Sequence, residues 1–219
     1  MLGGGGTRMS VARCRWWCGG SGALLLAAFA VLGVAARSGP LGVDRWAART
    51  VAGWRSPALT AAVRDVNAVL SPAAGWVALG VLLLVAVGWA VRRRSRRCGA
   101  LLAWAVAFLL VWRGVVEVKA LVGRPRPASS GWLDAVSGSS YPSAHVAAVA
   151  AVSALLVAAT VRLGRWRWPA LAVGAVATAA ACADRVYLGV HYLTDVTGAV
   201  LGVAGAALVL AAVFCRTRG

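Results

Sequence analysis

Both histidines of this chain, His145 and His191, stand beside arginines and prolines in a pattern suited to phosphate chemistry. Lys119, Arg124 and Arg126 fall in one stretch that Pro125 and Pro127 make rigid. Tyr141, Pro142, Ser143, Ala144 and His145 then open an apolar run. Pro142 suits the first turn of a helix there, with Ser139 or Ser140 placed to cap it. Such a start offers unpaired N–H groups and a partial positive charge to an anion. The third block is Asp184 and Arg185, followed by His191 and Asp195 where another apolar run begins. His191 and Asp195 are four apart; on a helix they share a face, so Asp195 can hydrogen-bond the imidazole and orient it. Lys119, Arg126 and Arg185, with a helix N-terminus, can bind a phosphate dianion and the extra charge of its transition state. One histidine can attack phosphorus while the other protonates the leaving oxygen. Asp134, Asp184 and Asp195 are too few and too scattered along the chain to hold a catalytic metal, so neither metal nor cofactor is expected.

The elements that must position these blocks are membrane helices. Of 219 residues, 61% are hydrophobic and 13% charged, whereas a soluble domain is nearer half apolar. The length predicts one membrane domain over 1–219, with a short N-terminal segment over 1–15 and a catalytic core over 73–214. A span needs about 20 mostly apolar residues. Six stretches meet that: Trp16–Ala36, Ala73–Val91, Cys98–Val118, Ser143–Val161, Trp168–Ala183 and Val196–Phe214. The fold class predicted is therefore all-α, a six-transmembrane-helix bundle. Within the third span, Arg113 and Glu117 are four apart and are expected to pair.

A net charge of +17 ordinarily points to nucleic acid. Here the arginines sit in short clusters between apolar runs, which is the pattern of orientation in an anionic membrane. The clusters are Arg8, Arg13 and Arg15; Arg92–Arg97; Arg162, Arg165 and Arg167; and Arg216 and Arg218. None contains an acid, and simple alternation of six spans puts all four on one side. That side is cytoplasmic by the positive-inside rule, together with both termini. The other side of the plasma membrane receives residues 37–72, 119–142 and 184–195, so all three chemical blocks fall in these segments or at their edges. Trp16, Trp17, Trp89 and Trp168 lie near span ends, as interface anchors do.

Three further features have ordinary readings. Leu59, Val63, Val66 and Leu70 recur at helical spacing between Pro57 and Pro72, with Thr60, Arg64 and Asn67 off that face. They predict a short amphipathic helix on the outer surface, the alternative being a packed connector. Arg8, Arg13 and Arg15 before the first apolar stretch also fit a cleaved signal peptide, although the stretch is long for one. Cys14, Cys18, Cys98, Cys182 and Cys215 are odd in number and lack zinc-like spacing, so they read as small apolar residues.

The three blocks together resemble the signature of the type-2 phosphatidic acid phosphatase family, which is related to bacterial lipid phosphatases, glucose-6-phosphatase and vanadium haloperoxidases. The first element, Lys, six residues, Arg-Pro, is complete in Lys119, Arg126 and Pro127. The second, Pro-Ser-Gly-His, is Pro142, Ser143, Ala144 and His145, with Ala144 in place of Gly. The third, Ser-Arg, five residues, His, three residues, Asp, is Asp184, Arg185, His191 and Asp195, with Asp184 in place of Ser. The resemblance implies a metal-independent six-helix phosphatase with no cofactor. It implies His191 as the nucleophile that forms a phosphohistidine, Asp195 as its orienting partner and His145 as the general acid. It assigns phosphate binding to Lys119, Arg126 and Arg185, helped by Ser143 and the N–H of Ala144. Asp184 puts an anion where the family has a hydroxyl; close to phosphate it would repel, so it is expected to pair with Arg185 or to lie away from the phosphate.

The substrate class this implies is a lipid phosphate or isoprenoid diphosphate reached from the outer leaflet, with phosphatidic acid, phosphatidylglycerol phosphate and undecaprenyl diphosphate as candidates. A soluble phosphate ester, a catalytically silent scaffold and a transporter are the alternatives. Transport predicts polar or broken helices at the bilayer midplane, and few charges lie there.

Overall fold

The computed structural model describes residues 11–71, 96–163 and 166–214, with nine positions between 73 and 92. Those nine are helical, but the rest of the span expected over 73–91 and residues 93–95 of the arginine run after it lie outside the described residues, as do Trp89, Arg8, Arg165, Arg216 and Arg218. Among the described residues there is no strand. The helices are α1 (Val11–Ala36), α2 (Gly42–Ala52), α3 (Pro57–Val69), α4 (Arg96–Val122), α5 (Ala144–Leu163), α6 (Arg167–Tyr187) and α7 (Leu193–Val213). Four of them, α1, α5 over 144–161, α6 and α7, are long and apolar enough to cross a membrane. Each of the four spans expected at these positions has its helix, with ends extended or shifted by a few residues.

Helix α7 is the axis of the fold. It packs along α1 and also touches α4, α5 and α6. Lipid tails are as apolar as leucine, so membrane helices gain little from burying apolar surface against each other; close backbone approach and dispersion drive their association. The α1–α7 contact has that character. A Cβ on Gly22 would lie 2.8 Å from the carbonyl oxygen of Gly205, and one on Gly205 would lie 3.0 Å from that of Gly22. Around this seam Phe29, Val115, Tyr141, Val146, Val196 and Val203 form the main buried cluster. Tyr141 is its peg: fully buried, it stacks on Phe29 at 5.5 Å and donates its hydroxyl to the Phe29 carbonyl at 2.5 Å.

The amphipathic segment is a helix that packs through both its polar residues and part of its apolar stripe. Ser56 caps α3 by accepting the Leu59 N–H at 3.2 Å, with Pro57 in the first turn. Thr60 then bonds the hydroxyl of Tyr187 at 2.9 Å, and Arg64 donates to the Leu133 carbonyl at 2.9 Å. Asn67 accepts from Arg185. Leu59 and Val66 are left 41% and 42% exposed, while Val63 joins a second cluster with Tyr187, Leu188 and Val190. The segment is thus a connector to α6 as well as an amphipathic helix. Arg113 and Glu117 pair as expected, at 2.6 Å on an exposed side of α4. Helix α2 has no counterpart in the sequence reading.

Replacing Gly205 with valine inserts three carbons where backbones touch. Overpacking of this kind costs about 1–3 kcal/mol. The thermal midpoint of detergent-solubilised Gly205→Val is expected to fall, whereas Gly88→Val is expected to leave it unchanged, because a Cβ there meets nothing within 4 Å. Equal midpoints for the two variants would show that the α1–α7 seam does not hold the bundle.

Candidate active site

The site forms where α4 ends, α5 and α7 begin, and α6 turns back. Three of these helix ends present the polar groups that α-helices leave unpaired. Gly189, with a φ of +74°, lets the chain turn sharply after α6, so that the N–H groups of Val190 and His191 both reach the Arg185 carbonyl at 3.3 Å. Tyr192 is extended (φ −79°, ψ 159°), so α7 starts only at Leu193. His191 therefore lies outside the helix, and the shared helical face expected for His191 and Asp195 is not how they meet. Asp195 is the third residue of α7, and its Oδ2 folds back to accept the Tyr192 N–H at 2.8 Å and to face His191 Nδ1 at 3.4 Å. The pairing stands; its cause is a helix cap.

The other nitrogen of His191 determines its tautomer. Arg126 Nη1 lies 3.1 Å from His191 Nε2. A guanidinium can only donate, so Nε2 is the acceptor and the ring proton sits on Nδ1, toward Asp195. That leaves a lone pair on the nitrogen surrounded by cations. Burial pushes His191 down from the ordinary 6.5 to about 4; the bond to Asp195 works against this, and the charges of Arg126 and Lys119 add to it. Arg126 is itself held below its ordinary value, first by burial and then by Arg185, with Asp195 opposing. Lys119, Arg126, Arg185 and His191 are therefore one electrostatic cluster, as expected.

Each cation is anchored by the loop it must present. Lys119, in the last turn of α4, donates to the Ser139 carbonyl at 2.7 Å. Arg126 donates to the carbonyls of Gly138, Val190 and Ser137 at 2.8, 2.8 and 2.9 Å. Arg185 donates through Nε to Asp184 at 2.7 Å, reaches Asp134 at 3.3 Å and donates to Asn67. Asp184 pairs with Arg185, one of the two arrangements expected for it.

At the start of α5 the cap differs from the sequence reading. Neither Ser139 nor Ser140 caps this helix; Ser143 does, accepting the Val146 N–H at 3.4 Å. Helix α5 begins at Ala144, so Pro142 precedes its first turn. Ser143 donates its own N–H to the Asp195 carbonyl at 3.2 Å, which ties the N-termini of α5 and α7 together. Ala144 and His145 occupy the first two helical positions, where N–H groups have no acceptor within the helix. Ser140 is buried and donates its hydroxyl to Asp195 Oδ2.

The largest feature missed by the sequence reading lies behind this surface. Arg124 has no exposed surface. Its Nη1 donates to Asp195 Oδ1 at 2.5 Å and to Thr194 at 2.7 Å, while Nη2 donates to Asp44 at 2.6 Å and to the Gly39 carbonyl at 3.0 Å. Its guanidinium also lies 4.3 Å over the ring of Tyr192. Asp44 in turn accepts from the Thr194 N–H and hydroxyl, each at 2.9 Å, and from the Leu41 N–H at 2.9 Å. The acids that seemed scattered are in fact gathered, two on Arg124 and two on Arg185. Among the described residues no group of three His, Cys, Asp or Glu side chains forms a metal-binding cluster.

Two histidines beside helix N-termini and a cluster of anchored cations sit at the ends of apolar helices in a multi-pass membrane protein. The chain belongs to the PAP2 superfamily, whose family model matches residues 98–218. It has the fold of a membrane PAP2 phosphatase. It is similar to the crystal structure of the first transmembrane PAP2-type phosphatidylglycerolphosphate phosphatase, from Bacillus subtilis, with a TM-score of 0.69 and 21% identity over 88% of this chain and 94% of that one. No curated protein sequence matches the chain.

Two measurements test this geometry. Removing Asp44 leaves Arg124 buried with half of its counter-charge gone, and breaking a buried pair costs about 3–5 kcal/mol. Asp44→Ala is expected to lower the thermal midpoint sharply, and an unchanged midpoint would show that the network carries no stability. The chain has only two histidines, so ring-¹⁵N labelling with His145→Gln assigns both signals. His191 is expected to stay neutral from pH 8 to pH 5, because its folded value is about 4. A midpoint near the ordinary 6.5 would mean that burial and the two cations do not act on it.

Proposed function

We propose that the chain is a membrane phosphatase that removes phosphate from a lipid phosphate or isoprenoid diphosphate through a phosphohistidine. The observation that carries this is the pair of contacts on His191: Nδ1 faces Asp195 at 3.4 Å, and Nε2 faces the Arg126 guanidinium at 3.1 Å, with the charge of Lys119 also acting on the ring. In the first step Nε2 bonds to phosphorus as the bond to the leaving oxygen breaks, and His145 gives that oxygen a proton. The cations and the N–H groups at the start of α5 take up the charge that develops on the phosphoryl oxygens. In the second step water attacks the phosphohistidine, His145 takes its proton back, and phosphate leaves with His191 restored. Asp195 balances the charge on His191 while the adduct exists.

The lipid substrate rests on location. His145 and His191 both sit at ends of helices long and apolar enough to span a bilayer, so the reacting phosphate meets the protein at a membrane face. The similar Bacillus subtilis protein is titled a phosphatidylglycerolphosphate phosphatase, which supports the same substrate class here. In the proposed topology six spans, the second within residues 73–91, place the arginine clusters and both termini in the cytoplasm and the site on the outer face.

The test is phosphate release by the purified protein in excess EDTA. Phosphatidic acid, phosphatidylglycerol phosphate and undecaprenyl diphosphate are compared. Turnover of at least one is expected to survive chelation and to be inhibited by vanadate, whose trigonal-bipyramidal adduct mimics the transition state. His191→Ala is expected to lose turnover to background and to trap no labelled phosphate on the protein. Activity restored only by magnesium, or kept by His191→Ala, would overturn the mechanism.

A further inference from the structure

Asp184 stands where the resembled family carries serine, and its carboxylate is buried. One oxygen is satisfied: Oδ1 accepts from Arg185 Nε at 2.7 Å. The other, Oδ2, is buried without a hydrogen-bond partner. Facing it at 3.8 Å is His145 Nε2, a buried nitrogen that also has none. An unpaired buried donor or acceptor costs about 1–3 kcal/mol, so two complementary ones left facing each other are a bond that a closure of under about 1 Å completes. His145 is on the first turn of α5 and Asp184 on the last turn of α6, two helices that pack directly together.

Building on the mechanism above, we propose that Asp184 is a positioning residue for His145, holding its Nε2–H so that Nδ1 is the nitrogen that meets the leaving oxygen. An imidazole has two nitrogens, and committing one to a fixed acceptor aims the other. A ring that donates from Nδ1 while Nε2–H is held is an imidazolium. Lys119, Arg126 and Arg185 surround the phosphate with positive charge, and a carboxylate against the ring offsets that charge where the general acid must carry its proton. In the first step the proton on Nδ1 passes to the leaving oxygen and the ring becomes neutral. When water attacks the phosphohistidine its proton returns to Nδ1. Asp184 keeps its own charge throughout. A serine at this position is shorter and uncharged, so it does neither.

The test compares two leaving groups by kcat/KM in detergent micelles. Dioctanoyl phosphatidic acid expels an alkoxide and depends on the general acid; a prenyl diphosphate expels a phosphate ester and depends on it far less. Asp184→Asn keeps the shape and an acceptor for Arg185 but loses the charge. It is expected to lower kcat/KM on phosphatidic acid by about tenfold or more, and on the diphosphate by much less. In a His145→Ala background the same substitution is expected to change neither value, because its effect passes through His145. Asp184→Ser repeats the comparison should the Asn variant fold poorly. An equal loss on both substrates, no loss, or a loss that persists without His145 would overturn the inference and leave Asp184 as a structural partner of Arg185. If His145→Ala itself shows no preference between leaving groups, it is the general-acid assignment of the proposed function that fails.

Discussion

Arg124 carries a fixed positive charge with no exposed surface, and the site is assembled around keeping it there. A buried charge is costly unless it is paired, and both terminal nitrogens of this guanidinium are paired while Nε has no hydrogen-bond partner. The pairing draws in Asp44 from the first turn of α2, Thr194 and Asp195 from the first turn of α7, and the Gly39 carbonyl from the loop after α1. Asp195 cannot shift toward or away from His191 without disturbing Arg124, and Arg124 cannot shift without disturbing Asp44. The orientation of His191 is thereby linked to a segment some 150 residues earlier in the chain, as the Asp44–Thr194 bond illustrates.

The same device is used at both ends of this network. In α2 and in α7 the third residue is an aspartate whose Oδ2 accepts the N–H of its own cap residue, Leu41 or Tyr192. Each aspartate offsets the partial positive charge of its helix N-terminus and still meets Arg124, Asp195 through its second oxygen and Asp44 through the capping oxygen. Arg124 joins the two aspartates, so two helix N-termini that would repel each other and the guanidinium are held around one cation. Of the six acids in a chain of net charge +17, Asp44, Asp134, Asp184 and Asp195 all pair with Arg124 or Arg185. Scarcity of acids across the rest of the chain makes that concentration meaningful: negative charge is spent where it fixes cations in place.

Lys119, Arg126, His145, Arg185, His191 and Asp195 were legible in the sequence because their spacing is local to helix ends and their types are rare among apolar runs. Four of the six expected spans were legible for the same reason, since a helix apolar on all sides for about 20 residues has few other places to be. Asp44 was not legible. It sits in a polar connector with no motif, and only the packing of that connector against α7 gives it a partner. Ser140 was misread as a cap because capping is the local explanation for a serine before a helix, whereas its acceptor, Asp195, is remote in sequence. For α3 the apolar periodicity marked a real helix that combines both readings: Thr60 and Asn67 bond neighbouring elements, Val63 and Leu70 pack against buried clusters, and Leu59 and Val66 stay exposed.

The packing of α3 bears on how Arg185 is held. In water, Thr60, Arg64 and Asn67 would be the solvated face of an amphipathic helix. Here they bond Tyr187, Leu133 and Arg185, so the polar face of α3 supplies an acceptor for Arg185 Nη2 in addition to Asp184 on its own helix. Arg185 then has Asp184 on Nε, Asp134 on Nη1 and Asn67 on Nη2. A guanidinium held on three sides loses little freedom when it meets an anion, and the ordering cost of binding has already been met in folding. The connector between α1 and the next span, which carries no catalytic motif of its own, is therefore part of what holds Arg185 in place.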